Sequence, residues 1–228
     1  MKQLVLDLRP DRPPMLENFV AGDNAELLAH LSRLAARAPD ASGAHLYLWG
    51  AHGSGRSHLL HAAVARAREN GRAAYCLAAA EVGANLPDEA DALVAIDDAE
   101  RLDAAAQIAL FNAFNRARRN EQTLLISGPV APRELALRED LRTRIGQCLI
   151  FETRPLDDDT RAAILRVLAE RSGLRLSDEI VAFLLHHGQR DLPSMAAAVA
   201  ALDGASLEHK RPLTLPLLRQ LMREGLKL

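Results

Sequence analysis

The sequence predicts an α/β fold, a parallel sheet flanked by helices and built around a phosphate-binding loop, followed by a small all-helical domain. Three observations carry this expectation. Strand-like and helical runs alternate between residues 44 and 149. The segment Gly50-Ala51-His52-Gly53-Ser54-Gly55-Arg56-Ser57 joins one such strand to one such helix. Beyond Pro155 the strand signals stop.

The first fourteen residues stand apart. Gln3-Leu4-Val5-Leu6-Asp7-Leu8 is followed by Arg9-Pro10-Asp11-Arg12-Pro13-Pro14, and three prolines in five residues prevent a regular element. The hexapeptide is therefore expected on a stiff, extended tether rather than in the core. Residues 15–154 are expected to form the α/β domain. It opens with Leu16 to Asn24 and a helix from Ala25 to Arg37. The strands are Leu46 to Trp49, Ala73 to Ala78, Ala92 to Ile96, Thr123 to Ile126 and Leu149 to Thr153. Between them lie helices from the loop to Asn70, from Ala104 to Arg119, and around Leu141 to Ile145. Residues 155–228 read as four helices: Asp157 to Ser172, Ser177 to His187, Leu192 to Asp203 and Leu215 to Leu226.

The loop has the spacing G-x-x-x-x-G-K-[ST] with arginine in the lysine position. Glycines at 50, 53 and 55 let backbone N–H groups of residues such as Ser54 and His58 wrap phosphates. The following helix presents its positive end, and the Ser57 hydroxyl can reach Mg²⁺. Arg56 keeps the charge but delivers it as a planar fork on a longer stem. The strand Leu93-Val94-Ala95-Ile96 ends in Asp97-Asp98. At the carboxyl end of a parallel strand Asp97 would face the Mg²⁺ held by Ser57, and Asp98 would orient an attacking water; the plain alternative is a cap on the next helix.

Composition narrows the function classes. The chain has 228 residues, 49% hydrophobic and 25% charged, with a formal net charge of −2, so no global basic field argues for nucleic acid. Arg116-Ala117-Arg118-Arg119 reads as a solvated helix C-terminus. Cys76 and Cys148, far apart and outside any metal-ligand spacing, read as small buried residues in strand-like segments of a cytoplasmic protein. The eight histidines include His58, His61 and the pair His186-His187, and none falls in a zinc pattern. No secretory signal or membrane-spanning run is expected.

The loop with its His-Leu-Leu-His continuation, the Ile-Asp-Asp strand end and Glu17-Asn18-Phe19-Val20-Ala21-Gly22-Asp23-Asn24 together resemble the ATPase module of the DnaA family of AAA+ proteins. The resemblance covers roughly residues 15 to 228, and no helix-turn-helix domain is expected after the helical lid. Gln3, Leu4, Leu6, Asp7 and Leu8, with Gly-Arg-Ser in the loop, are similar to the regulatory branch of that family, whose N-terminal hexapeptide binds the sliding clamp, the beta subunit of DNA polymerase III. It implies DnaA as partner, contact with DNA only through the clamp, and admits a homo-oligomer.

The same resemblance makes Asp140-Leu141-Arg142-Thr143-Arg144-Ile145 the arginine-finger segment. Arg144 aligns best and Arg142 is the runner-up. It also implies an adenine pocket near Phe19, Val20 and Asn24, although Phe19 reads equally well as a helix staple. Pro129 stands where the family's first sensor is polar, and Pro193 where its second sensor is arginine, with Arg190 three residues earlier. These departures imply a site that favours ADP over ATP, or turns ATP over slowly.

Three functions fit. The first is a clamp-tethered regulator supplying Arg144 in trans to DnaA-bound ATP. The second is an autonomous ATPase of helicase-loader or transposition-helper type. The third is an adaptor that holds nucleotide on the clamp. The hexapeptide argues against the loader, and the finger segment against the adaptor.

Overall fold

The structure, a computed structural model, describes residues 14–38, 44–188, 192–209 and 213–223. Five strands form one sheet: β1 (Leu46–Trp49), β2 (Ala74–Ala78), β3 (Leu93–Asp97), β4 (Thr123–Gly128) and β5 (Leu149–Glu152). Every pairing is parallel and the order is β2-β3-β4-β1-β5. The loop-bearing strand β1 therefore lies between β4 and β5. Parallel strands need crossovers, and helices supply them on both faces.

Alternation along each strand divides the core. Tyr47, Val94, Ile96, Leu124 and Ile126 face α3 (Ala104–Ala117) and α4 (Glu139–Ile145) in one apolar cluster. Their neighbours Leu46, Leu48, Leu93, Ala95 and Leu125 face α1 (Ala25–Ala35) and α2 (Arg56–Glu69) in another. The amino-terminal end of the sheet, opposite the loop, is stapled by Arg72. It donates to the carbonyls of Asp91 at 2.6 Å and Leu34 at 2.7 Å and to Thr123 Oγ1 at 2.8 Å.

The C-terminal helices are α5 (Asp158–Arg171), α6 (Asp178–His187), α7 (Leu192–His209) and α8 (Leu215–Arg223). They have their own core of Leu165, Ile180, Leu184, Met195, Val199, Leu202 and Leu218. Asp157 caps α5 by accepting from the Thr160 N–H at 2.7 Å. The expected stop at Asp203 is corrected: α7 continues through Gly204 to His209, since a mid-helix glycine costs only about 1 kcal/mol and later residues carry the helix on.

Other expectations shift, among them the end of α3, which stops at Ala117 rather than Arg119. β4 extends two residues past Ile126 to Gly128, and α1 stops at Ala35 before Arg37, whose φ of 58° leaves the helix. Cys76 lies in β2, but Cys148 sits in the bend before β5, and both free thiols are half-buried rather than fully buried. Burial pushes the Cys76 thiol up to about 11 and the Cys148 thiol up to about 12, so neither supplies a thiolate at neutral pH.

Candidate functional site

The loop leaves β1 at Gly50, whose N–H donates to the Gly128 carbonyl at 3.3 Å. A side chain is excluded there, because a Cβ would stand 2.6 Å from the Thr153 carbonyl oxygen and 2.9 Å from Ser54 Oγ. Gly53 and Gly55 have φ of 76° and 93°, the left-handed region that glycine enters without strain. Helix α2 then starts at Arg56, so its unpaired N–H groups open onto the loop.

Two buried polar atoms at this helix start have no hydrogen-bond partner: Ser54 Oγ and Arg56 Nη1. Ser54 is 5% exposed and Arg56 9%. Buried polar atoms without partners are costly, and these two stand beside a helix N-terminus, where negative charge is favoured. Ser57 is exposed at the same mouth. The loop N–H groups and the exposed Ser57 hydroxyl are the groups that would receive phosphate oxygens, and a Mg²⁺ ion held largely by phosphate and water would draw on Ser57 and Asp97.

Asp97 ends β3. Its Oδ1 accepts from Ser127 Oγ and, at 3.1 Å, from the Asp98 N–H. Ser127 on β4 is fully buried, and its Oγ lies 3.1 Å from the Asp98 N–H. Sequence reasoning missed Ser127. Its signal was a polar residue interrupting an apolar strand at the carboxyl end. Asp98 adopts left-handed backbone, φ 53° and ψ 53°, and does not cap the following turn by its side chain. Its carboxylate instead lies 3.6 Å from Arg56 Nη2 and 3.9 Å from Arg101 Nη1. Burial raises the Glu100 carboxyl above its ordinary value, with Asp98 adding to the shift and Arg56 opposing it.

The segment expected to hold adenine covers the loop. The Phe19 ring packs on Gly55, where a Cβ would meet Cε2 at 2.6 Å, and its centroid is 5.9 Å from that of His58. His58 Nε2 lies 3.2 Å from the Met15 carbonyl oxygen, and burial lowers its pKa. Val20 is half-buried. Asn24 is spent on the backbone of Arg154, with bonds of 3.0 and 2.9 Å. Phe19 thus packs against the phosphate loop, while Asn24 acts as a tie.

The two finger arginines diverge. Arg144 Nη2 donates to Asn115 Oδ1 at 3.0 Å, and its guanidinium carbon lies 5.8 Å from the Phe111 ring centroid, against α3. Arg142 lines a cleft of about 540 Å³ with Trp49, Pro132, Arg133, Thr143 and Ile150. Pro129 sits in the bend after β4. Tyr47, whose hydroxyl donates to the Val130 carbonyl at 2.7 Å, fills the place of a side chain at Gly128. Gln3, Leu4, Leu6, Asp7 and Leu8, expected to bind the clamp, lie outside the described residues, as do Arg190 and the side chain of Pro193. Among the described residues no three His, Cys, Asp or Glu side chains gather as a metal cluster, and no helix is long and apolar enough to cross a membrane.

A parallel sheet in the order β2-β3-β4-β1-β5, a phosphate loop on its β1 strand, paired carboxylates two strands away and a helical lid define a AAA+ module. Solved structures share this fold. Domain III of Thermotoga maritima DnaA is 21% identical, with 94% of this chain and 97% of that chain covered and a TM-score of 0.69. AMPPCP-bound DnaA from Aquifex aeolicus is 20% identical, with 92% and 70% covered and a TM-score of 0.70. A RuvB variant from Thermotoga maritima is 17% identical, with 95% and 75% covered and a TM-score of 0.67. At such identities the likeness is one of fold. Sequence families are more specific: the bacterial DnaA ATPase domain matches residues 11–82, and the lid domain of Hda matches residues 158–222. The chain is a DnaA/Hda-related AAA+ protein.

Proposed function

We propose that this protein is a nucleotide-holding regulator of replication initiation. In this reading it binds ADP with Mg²⁺ as a structural ligand, docks on DnaA-ATP, and promotes hydrolysis of the partner's ATP by supplying Arg144 in trans. The observation that carries the nucleotide reading is the loop itself, whose N–H groups and exposed Ser57 hydroxyl stand at the N-terminus of α2. The observation that favours a regulator over an autonomous motor is the Hda lid match at 158–222, beside an arginine in the loop's lysine position.

Gly50, Gly53, Ser54, Gly55, Arg56, Ser57 and His58 would cradle the α- and β-phosphates, with Ser57 and Asp97 on Mg²⁺. Gln3, Leu4, Leu6, Asp7 and Leu8 would bind the sliding clamp, so that DNA is reached only through the clamp. Hydrolysis at the partner gains from Arg144 because a cation in a dry interface stabilises charge that develops only in the transition state. The test is DnaA-ATP hydrolysis with and without this protein and DNA-loaded clamp. Stimulation that requires the clamp is the expected result. Rapid ATP turnover by this protein alone would replace the reading with that of an autonomous ATPase.

A further inference from the structure

The outer edge of β5 is open in this fold. Among the described residues the strand pairs only with β1, and it stands last in the sheet order. The Leu149 N–H donates to the His45 carbonyl at 2.8 Å, and the Thr153 N–H to the Trp49 carbonyl at 2.6 Å. A parallel strand bonds one neighbour through alternate residues, so the N–H and C=O groups of Ile150 and Glu152 point away from the sheet. Two large apolar side chains of the same strand are exposed, Leu149 at 42% and Ile150 at 43%. An edge of this kind is a template for another strand.

Side chains alternate as well. Ile150 is in register with Tyr47, on the α3 and α4 side of the sheet, and there it lines the cleft of about 540 Å³ with Trp49, Pro132, Arg133 and Arg142. Both arginines are available to a carboxylate. Arg133 is 88% exposed and meets only its neighbour Glu134, at 3.6 Å. Arg142 makes no ion pair among the described residues, and Asp140 before it on α4 is taken by Arg138 at 2.7 Å. Because only Ile150 and Glu152 offer outward backbone groups, selectivity must come from the cleft. We propose that the outer edge of β5 and this cleft form a docking site for an extended, acidic segment of a partner protein. The segment adds as a strand beside Ile150 and Glu152, places an apolar side chain in the cleft against Trp49 and Ile150, and sets carboxylates on Arg133 and Arg142. Glu152 disfavours a carboxylate directly opposite itself, which helps to fix the register. Arg142 thereby has a binding role of its own, independent of nucleotide and of Arg144.

The test is selection of random octapeptides on the full chain, followed by amide hydrogen exchange with the selected peptides. Peptides with an apolar residue flanked by Asp or Glu should be enriched, and binding should slow exchange at Ile150 and Glu152 by about ten-fold or more. The double variant Arg133→Glu, Arg142→Glu should lose these peptides by about ten-fold or more and accept versions with lysine in place of the acids, because like charges replace opposite ones. Ile150→Lys, on an exposed position, should weaken both kinds of peptide, and thermal melting checks that each variant folds. Enrichment of no peptide, enrichment without acidic residues, or binding that leaves the Ile150 and Glu152 amides unprotected overturns the site. Protection of these amides in the chain alone that is lost on deleting residues 1–8 assigns the edge to the chain's own N-terminal segment. Protection that grows with protein concentration assigns it to a second copy, and either result overturns the partner peptide.

Discussion

The side-chain amide of Asn24 pairs with both sides of the Arg154 backbone: Nδ2 donates to its carbonyl at 3.0 Å, and Oδ1 accepts from its N–H at 2.9 Å. Residue 154 leads from β5 toward α5, so one buried side chain does what a sheet neighbour would do for a chain leaving the sheet. Asn24→Ala leaves both backbone groups without these partners. A loss of about 1–3 kcal/mol is expected, read as a fall in melting temperature of roughly 2–10 °C.

Gly50 is fixed by close approach rather than by backbone angle. Gly50→Ala would push a methyl group into the Thr153 carbonyl oxygen, which belongs to backbone and cannot swing aside. Gly53→Ala meets no atom within 4 Å and bears only the cost of positive φ. Gly50→Ala is therefore expected to lower the melting temperature more, and to weaken ADP binding at least ten-fold by moving the loop off the end of β1. Parallel calorimetry of the two variants checks the ranking.

The finger proposal separates two neighbouring arginines. Arg144→Ala should lower stimulated DnaA-ATP hydrolysis by on the order of 10² or more with folding and ADP binding retained, and Arg142→Ala should cost far less. Because Asn115 holds Arg144 at 3.0 Å in the isolated chain, Asn115→Ala should leave stimulation intact or raise it. Loss in the Arg142 variant alone would move the finger to Arg142, and normal stimulation by both would end the trans mechanism.

Clamp capture is expected to reside in Gln3, Leu4, Leu6 and Leu8. An extended apolar peptide on a proline-rich tether loses little entropy on entering a pocket. A double change of Leu6 and Leu8 to alanine should abolish capture in a surface-binding assay while ADP affinity stays at wild type. Undiminished capture would place the clamp contact elsewhere.

His45 makes stability depend on pH. Its Nδ1 accepts from the Leu124 N–H at 3.2 Å, which requires an unprotonated Nδ1, and burial lowers its pKa from 6.5. The unfolded chain then takes up the proton first. Stability is full above about pH 7.5 and falls as pH drops through 6.5 toward the depressed folded value. His58 shifts in the same direction through burial. The depressed carboxylates Glu17, Glu89 and Asp157 act only at lower pH, below their ordinary values of 4.5 and 3.8. His45→Gln should flatten the melting temperature between pH 7 and 5, and an unchanged slope would remove His45 from the account.

What the sequence determined by itself was local. Apolar runs such as Leu93 to Ile96 must be strands buried on both faces, because consecutive side chains point to opposite sides and both are apolar. Gly53 and Gly55 announce a loop needing left-handed backbone, and the absence of strand runs after Pro155 announces the helical lid. Helix ends were less legible, as α7 shows by running through Gly204, because tertiary packing outweighs one residue's propensity.

Only the tertiary structure decided the strand order, and with it which chain ends meet. Phe19 seals against Gly55, Asn24 ties Arg154 across the sheet edge, Ser127 on β4 anchors Asp97 on β3, and Arg56 turns inward to Asp98. Each joins residues far apart in the chain through direction, distance and burial, which a pattern of apolar and polar letters does not encode. A charge in the sequence announces a capacity to bind phosphate; whether that charge is free to do so is set by the counter-ion the fold brings beside it.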